Sequence, residues 1–102
     1  MKEPRLRPRA EADLIERTRH HVAEGGAALG ERFFDAALGA LDVISNMPGI
    51  GSPRVEELTE IPGLRRAPVE GFPCGWFYVE HDDFIDVLRL LADRQELTQL
   101  LD

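Results

Sequence analysis

A Gly-Gly pair at residues 25–26 separates two segments with helical periodicity, and this short link constrains the fold more than any other feature. Apolar residues recur at three- and four-residue steps before the pair and predict a helix over about 9–24. After it, an apolar stripe predicts a helix over 28–46, with the members Leu29, Phe33, Ala37, Leu41 and Ile44. Glycine ends a helix in the left-handed conformation without strain, so an antiparallel helical hairpin is expected.

The character of the sequence changes after this second helix. Residues 47–63 are rich in Pro and Gly and lack a sustained helical period, which indicates a loop. The apolar segments that follow have the composition of β-strands, and they cover 64–69, 76–80 and 84–91. His81-Asp82-Asp83 is expected to be the turn of a hairpin between the last two, and Pro68 confines the first strand to an edge or an irregular stretch.

Two shorter segments complete the predicted order of elements. Arg5-Leu6-Arg7 predicts a short strand at a sheet edge, and residues 94–101 have the leucine spacing of one short helix. The predicted fold is α+β: a helical hairpin packed on a small antiparallel sheet, in the order β-α-α-β-β-β with a short C-terminal helix. We expect one domain over residues 1–102, with a core that includes Phe33, Leu41, Val87 and Leu88.

Charge argues against an extended nucleic-acid surface. The chain carries 12 basic and 19 acidic residues, a net charge of −7. Residues 1–32 hold seven basic and six acidic groups, whereas residues 33–102 hold five and thirteen. A chain this acidic repels phosphate backbones overall, although a small basic pocket is compatible with it.

Composition also limits which cellular compartment and which cofactors are expected for this chain. The single cysteine, Cys74, cannot form an internal disulfide or a multi-thiolate metal site. No apolar run follows the N-terminal charges, as a signal peptide would require, and no window approaches the roughly 20 apolar residues of a membrane helix. We expect a cytoplasmic protein without a metal or a cofactor.

The histidines and the cysteine do not indicate a catalytic centre. His20 and His21 are adjacent, so on a helix they point about 100° apart and cannot hold one metal ion together. His81 is expected to be a solvated turn residue. Cys74 has no evident base to activate it and is expected to fill the core or a loop.

The arginines are the more informative polar residues. Arg65 and Arg66 begin a predicted strand and must point to opposite faces, while Arg89 interrupts the apolar last strand. An arginine among apolar strand residues either pairs with a carboxylate of its own chain or contributes to a cationic patch for an anionic partner. Trp76, Phe77 and Tyr78 are expected mainly in the core or on the sheet surface, with one of them exposed for binding. The predicted binding residues are arginines and aromatics: Arg54, Arg65, Arg66, Trp76, Tyr78, Arg89 and Arg94.

The order and spacing of several short motifs resemble the ParE branch of the RelE/ParE toxins of bacterial type II toxin–antitoxin systems. The resemblance covers nearly the whole chain. Its motifs are Ala12-Asp13-Leu14, Ala28 through Phe33, Pro48-x-x-Gly51-x-Pro53-Arg54, Gly63-Leu64-Arg65, Val69-x-Gly71-Phe72-Pro73, Phe77-Tyr78 and Val87-Leu88-Arg89-Leu90-Leu91. The family fold, a helical hairpin on a small antiparallel sheet, agrees with the fold predicted from periodicity.

The resemblance implies a toxin that binds and inhibits DNA gyrase without chemistry of its own. It also implies a ParD-like antitoxin as the neutralising partner, and contact with nucleic acid only through that antitoxin. We expect the antitoxin to set acidic groups near Arg65 or Arg89; Arg65 is favoured because it begins a strand beside a loop, whereas Arg89 is expected to pair internally.

One segment departs from the family pattern. Many relatives follow the last strand with a His-Gly-x-Arg-Asp-like sequence, whereas this chain has Ala92-Asp93-Arg94-Gln95-Glu96. Ala92 stands at the histidine position and Gln95 at the basic position, and alanine cannot transfer a proton. This departure weighs against the first alternative function, RelE-type ribosome-dependent mRNA cleavage. The second alternative is a non-toxic module that retains antitoxin binding.

Overall fold

In the computed structural model, which describes residues 1–94 and 97–101, two long helices cover one face of a four-stranded sheet. The elements in chain order are β1 (Glu3–Leu6), α1 (Pro8–Gly25), α2 (Ala27–Asn46), α3 (Arg54–Thr59), β2 (Leu64–Pro68), β3 (Cys74–Glu80) and β4 (Phe84–Ala92). Short 3₁₀ helices cover Pro48–Ile50 and Leu97–Leu101. The predicted α+β fold and its element order are confirmed.

The helical hairpin forms as the glycines predict. Gly26 has a φ of 88°, in the region that glycine adopts without strain, and it separates α1 from α2. Gly30 lets the helices approach closely, because a Cβ at this position would overlap the Val22 side chain. The buried stripe of α2 comprises Gly30, Phe33, Ala37, Leu41, Ile44 and Ser45.

The sheet has the strand order β1-β4-β3-β2 and is mixed. Strands β2, β3 and β4 pair antiparallel as predicted, but β1 pairs parallel with β4, from Glu3 opposite Phe84 to Leu6 opposite Val87. The helical hairpin returns the chain to the start of β1, where the Lys2 N–H donates to the Ser45 carbonyl (3.1 Å). The chain then reverses its direction from β2 to β3 and again from β3 to β4, and β4 runs parallel to β1.

The buried residues form two clusters, one on each face of the sheet. Phe33, Leu41 and Val87 belong to the inner cluster, beneath the hairpin, but Leu88 belongs to the outer cluster. The prediction of one core shared by all four is therefore wrong for Leu88. Successive strand residues point to opposite faces, so Val87 and Leu88 cannot share a cluster.

Short elements cover the outer face. Val55 of α3 packs with Phe77, Leu88 and Leu91, although residues 47–63 were expected to lack helix. Leu97 and Leu100 of the C-terminal 3₁₀ helix pack against the same cluster, in the region where a short helix was predicted. No helix within the described ranges is long and apolar enough to cross a membrane.

Candidate functional site

The side chain of Arg89 is held inside the protein. It is buried and makes a two-point ion pair with Asp13 of α1: Nε to Oδ2 is 2.7 Å and Nη2 to Oδ1 is 3.0 Å. The same carboxylate accepts the Leu90 N–H (3.0 Å), at a point of β4 beyond the end of β1. Asp13 thus covers the open edge of β4, and the expected internal carboxylate partner of Arg89 is found.

Arg65 and Arg66 point to different surroundings, as strand alternation requires. The Arg65 guanidinium donates to the carbonyls of Gly49 (3.2 Å) and Gly51 (2.8 Å), and so anchors the loop after α2. Arg66 lies over the Phe77 ring and makes an ion pair with Asp93. Both side chains have partners within the chain, and they do not form one cationic patch with Arg89.

Trp76 and Tyr78 have no exposed surface and cannot contact a partner in this structure. The indole Nε1–H donates to the Ala37 carbonyl (3.0 Å), and the Tyr78 hydroxyl donates to the Pro48 carbonyl (2.7 Å). The same hydroxyl accepts the Gly51 N–H (2.9 Å), and burial raises its pKa. The prediction of Trp76 and Tyr78 as binding residues is corrected: both tie the sheet to the helices and the loop.

The remaining predicted residues lie apart. Arg54 is exposed at the start of α3, and Arg94 is exposed after β4. Ala92, at the position of the family histidine, ends β4, whereas Gln95 and Glu96 lie outside the described residues. The residues predicted from the sequence therefore do not converge on a single site.

The titratable rings also lie on separate surfaces. His21 packs against the Phe33 and Phe72 rings, with centroids 4.7 and 5.1 Å away, and burial lowers its pKa, with the charges of His20 and Arg17 adding to the effect. His81 stacks on Phe84 at the other end of the molecule. Within the described ranges, no His, Cys, Asp and Glu side chains cluster as metal ligands.

Cys74 begins β3 and is buried in the inner cluster. Burial raises the pKa of its thiol, which opposes formation of the nucleophilic thiolate. The expectation that Cys74 fills the core is confirmed.

The sequence did not predict an apolar groove that lies along α2, between this helix and the end of β2. Its lining residues come from α2, the following 3₁₀ helix, the end of β2 and the turn after β2: Ala36, Gly39, Ala40, Val43, Ile50, Pro68 and Glu70. Val43 and Ile50 are 44% and 50% exposed, and neighbouring Met47 is 54% exposed. The signal was present in the sequence, because positions 36, 39, 40 and 43 repeat at helical spacing beside the stripe that faces the core.

The free edge of β2, beside this groove, offers few groups for pairing. Ser52 and Arg66 exchange two backbone hydrogen bonds, of 2.8 and 3.1 Å, along this edge. The Leu64 N–H donates to the Ile61 carbonyl (3.2 Å), and Pro68 has no N–H. Loop residues and a proline therefore occupy the edge where another chain would add a strand.

Comparison with known proteins agrees with this fold. The family described as "ParE toxin of type II toxin-antitoxin system, parDE" matches residues 5–97. A solved structure described as "Chromosomal ParDE TA system from P. aeruginosa" is similar, with a TM-score of 0.76 and 21% identity over 90% of this chain and 96% of that chain. None of the curated proteins matches the chain. Because the family match spans most of the sequence, the chain belongs to the ParE toxin family of type II toxin–antitoxin systems.

Proposed function

We propose that the protein binds and inhibits DNA gyrase and is neutralised by a ParD-like antitoxin. Membership of the ParE family is the basis for the target and for the partner. The structure described as a chromosomal ParDE system supports the same assignment through its fold. Because gyrase works in the cytoplasm, the proposal implies a cytoplasmic location.

The arrangement of the arginines favours binding over catalysis. Arg89 holds Asp13, Arg66 holds Asp93, and Arg65 holds two loop carbonyls, so these guanidinium groups stabilise the fold. Cleavage of mRNA needs groups that move a proton and stabilise developing charge at one place. Ala92 supplies neither function, and the net charge of −7 opposes the approach of RNA.

The observation that carries the proposed antitoxin contact is the apolar groove beside α2. Exposed side chains such as Val43, Met47 and Ile50 gain free energy when a partner removes them from water. Grooves of this kind receive amphipathic helices, whereas an open sheet edge receives a strand. With the edge of β2 occupied by Ser52, the groove is the better receptor.

A supercoiling assay tests the function. Purified protein is mixed with gyrase and relaxed plasmid, with and without a ParD-like antitoxin, and translated mRNA is followed in parallel. We expect loss of supercoiling or trapped cleaved DNA, reversal by the antitoxin, and intact mRNA. Codon-dependent mRNA cleavage with unaffected gyrase would show the RelE-type activity. Inertness in both assays, with antitoxin binding retained, would show a non-toxic binding module.

A further inference from the structure

We propose that the antitoxin segment in the α2 groove is an amphipathic helix that places a Lys or Arg against Glu70. This inference rests on the proposed function, since it specifies the chemistry of the antitoxin segment. Glu70 then acts as a specificity-determining residue of the groove. The acidic antitoxin groups expected near Arg65 stay a separate prediction, at a different position from this basic group.

The shape of the groove would allow a partner helix to pack close to the backbone of α2. Positions 36, 39, 40 and 43 of α2 follow the i, i+3, i+4, i+7 spacing of one helix face, and the first three are Ala or Gly. Small residues allow two helix backbones to approach, and Val43 and Ile50 provide larger apolar contacts at one end. A helix with an apolar stripe matches these features better than a flat strand does.

Gly39 is the most specific indication of a close partner. It lies in the middle of the 20-residue helix α2, where glycine is less favourable than alanine. Apart from the adjacent residues and the neighbouring backbone of α2 itself, no heavy atom of the described residues lies within 4 Å of the place that a Cβ on Gly39 would take. The described part of the chain thus makes no use of the missing side chain, whereas a partner backbone over this position would use it.

The charges around the groove select a basic partner. Glu70 is the one charged residue among the lining residues of the groove within the described ranges. Asp35 and Asp42 precede and follow Gly39 by one turn of α2, so they lie on its face of the helix and are exposed. Arg32 lies one turn before Ala36, beyond the end of the groove. A basic flank on the antitoxin helix complements the acidic border and is attracted by the net charge of −7.

The first experiment changes the sign of this charge. The affinity of the full-length ParD-like antitoxin is measured by titration calorimetry at low salt for the wild-type protein, for Glu70→Lys and for Asp82→Lys. Asp82, exposed in the β3–β4 turn, is the matched control. We expect Glu70→Lys to weaken binding about fivefold and Asp82→Lys to leave it nearly unchanged, since rim charges act locally. Exchange of one antitoxin Lys or Arg for Glu is expected to restore binding to Glu70→Lys.

The second experiment fills the groove. Gly39→Leu places a side chain in open space, so the variant is expected to fold with α2 intact, as circular dichroism would show. Antitoxin affinity is expected to fall at least about tenfold, because the new side chain occupies volume that the partner helix needs. Ala23→Leu, an exposed position on α1, is the control and is expected to bind normally.

The outcomes separate this inference from the proposed function. If the wild-type protein does not bind the antitoxin, both proposals are overturned. If it binds, and Glu70→Lys and Gly39→Leu bind equally well, the partner uses another surface and only the groove inference is wrong. Weakening by Gly39→Leu without a difference between Glu70→Lys and Asp82→Lys would retain the groove and overturn the role of Glu70.

Discussion

The two faces of the sheet are buried by different kinds of structure. The inner face lies beneath α1 and α2, which are 18 and 20 residues long, and α2 has a buried stripe along its length. The outer face is covered by the six residues of α3 and the five of the C-terminal 3₁₀ helix. Both faces exclude water from large side chains, such as Phe33 inside and Leu88 outside. The comparison shows that a short cover can bury a sheet face, although its residues leave little periodic signal in the sequence.

The largest effect is expected on the inner face, from Phe33→Ala. Phe33 is 0% exposed and contacts the rings of His21 and Phe72, so truncation leaves a cavity that the two helices cannot readily close. We expect the free energy of unfolding to fall by about 3–5 kcal/mol. Urea denaturation followed by circular dichroism measures it. Phe34→Ala, at a neighbour that is 38% exposed, is the control and should cost less than about 1 kcal/mol. Equal losses for both variants would contradict the assigned orientation of α2.

A smaller loss is expected on the outer face, from Leu88→Ala. Leu88 is buried beside Phe77 and Val55, but the thin cover of α3 can move into part of the vacated space. We therefore expect about 2–3 kcal/mol, the lower part of the range for a buried leucine. Leu58→Ala is the control on α3. Because Leu58 is 64% exposed, the decrease in the free energy of unfolding should be hardly measurable. A cost for Leu88→Ala above that of Phe33→Ala would reverse the comparison between the faces.

The smallest effect concerns pH at the rim of the inner face. Burial lowers the pKa of His21 below the unfolded value of about 6.5, so the unfolded chain binds more protons as the pH falls through that value. Stability is therefore expected to decrease below about pH 6.5 until His21 is protonated in the folded state as well. Urea midpoints at about pH 7.5 and 5.5 measure this. His21→Phe should remove the contribution of His21, while His20→Gln, which removes only a secondary cause of the lowered pKa, should reduce the difference less. An unchanged difference in His21→Phe would exclude His21 as its source.

Regular elements of the fold were predictable because their residues repeat. The α2 stripe from Leu29 to Ile44 and the apolar run of β4 each contain enough positions to distinguish a helix from a strand. Helix α3 has one buried residue, Val55, in six, so no period was detectable. The parallel pairing of β1 depends on the place to which the helical hairpin returns the chain. A local sequence pattern does not predict that place.

The candidate site was predicted less well than the fold. Arginines and aromatics are typical of interfaces, and this led to Trp76 and Tyr78, but the same side chains also form buried links between elements. Their exposure depends on what lies above them, which the sequence does not state. The α2 side of the groove consists of Ala, Gly and Val, residue types that carry no chemical signature. The groove becomes visible only when Ile50 and the residues at the end of β2 are placed beside α2.

The position of β4 between β1 and β3 has a consequence for biosynthesis. The ribosome makes β1 and the helical hairpin first, but β1 pairs with residues 84–87, and the inner cluster includes Ile85, Val87 and Leu90. The complete four-stranded sheet and the inner cluster cannot form before β4 has been made, because β4 joins β1 to β3. At about 5–20 residues per second, translation of such a chain takes roughly 5–20 s, during which the nascent polypeptide has no complete fold. A growing cell thus carries each new copy as an incompletely folded chain until the last strand is available.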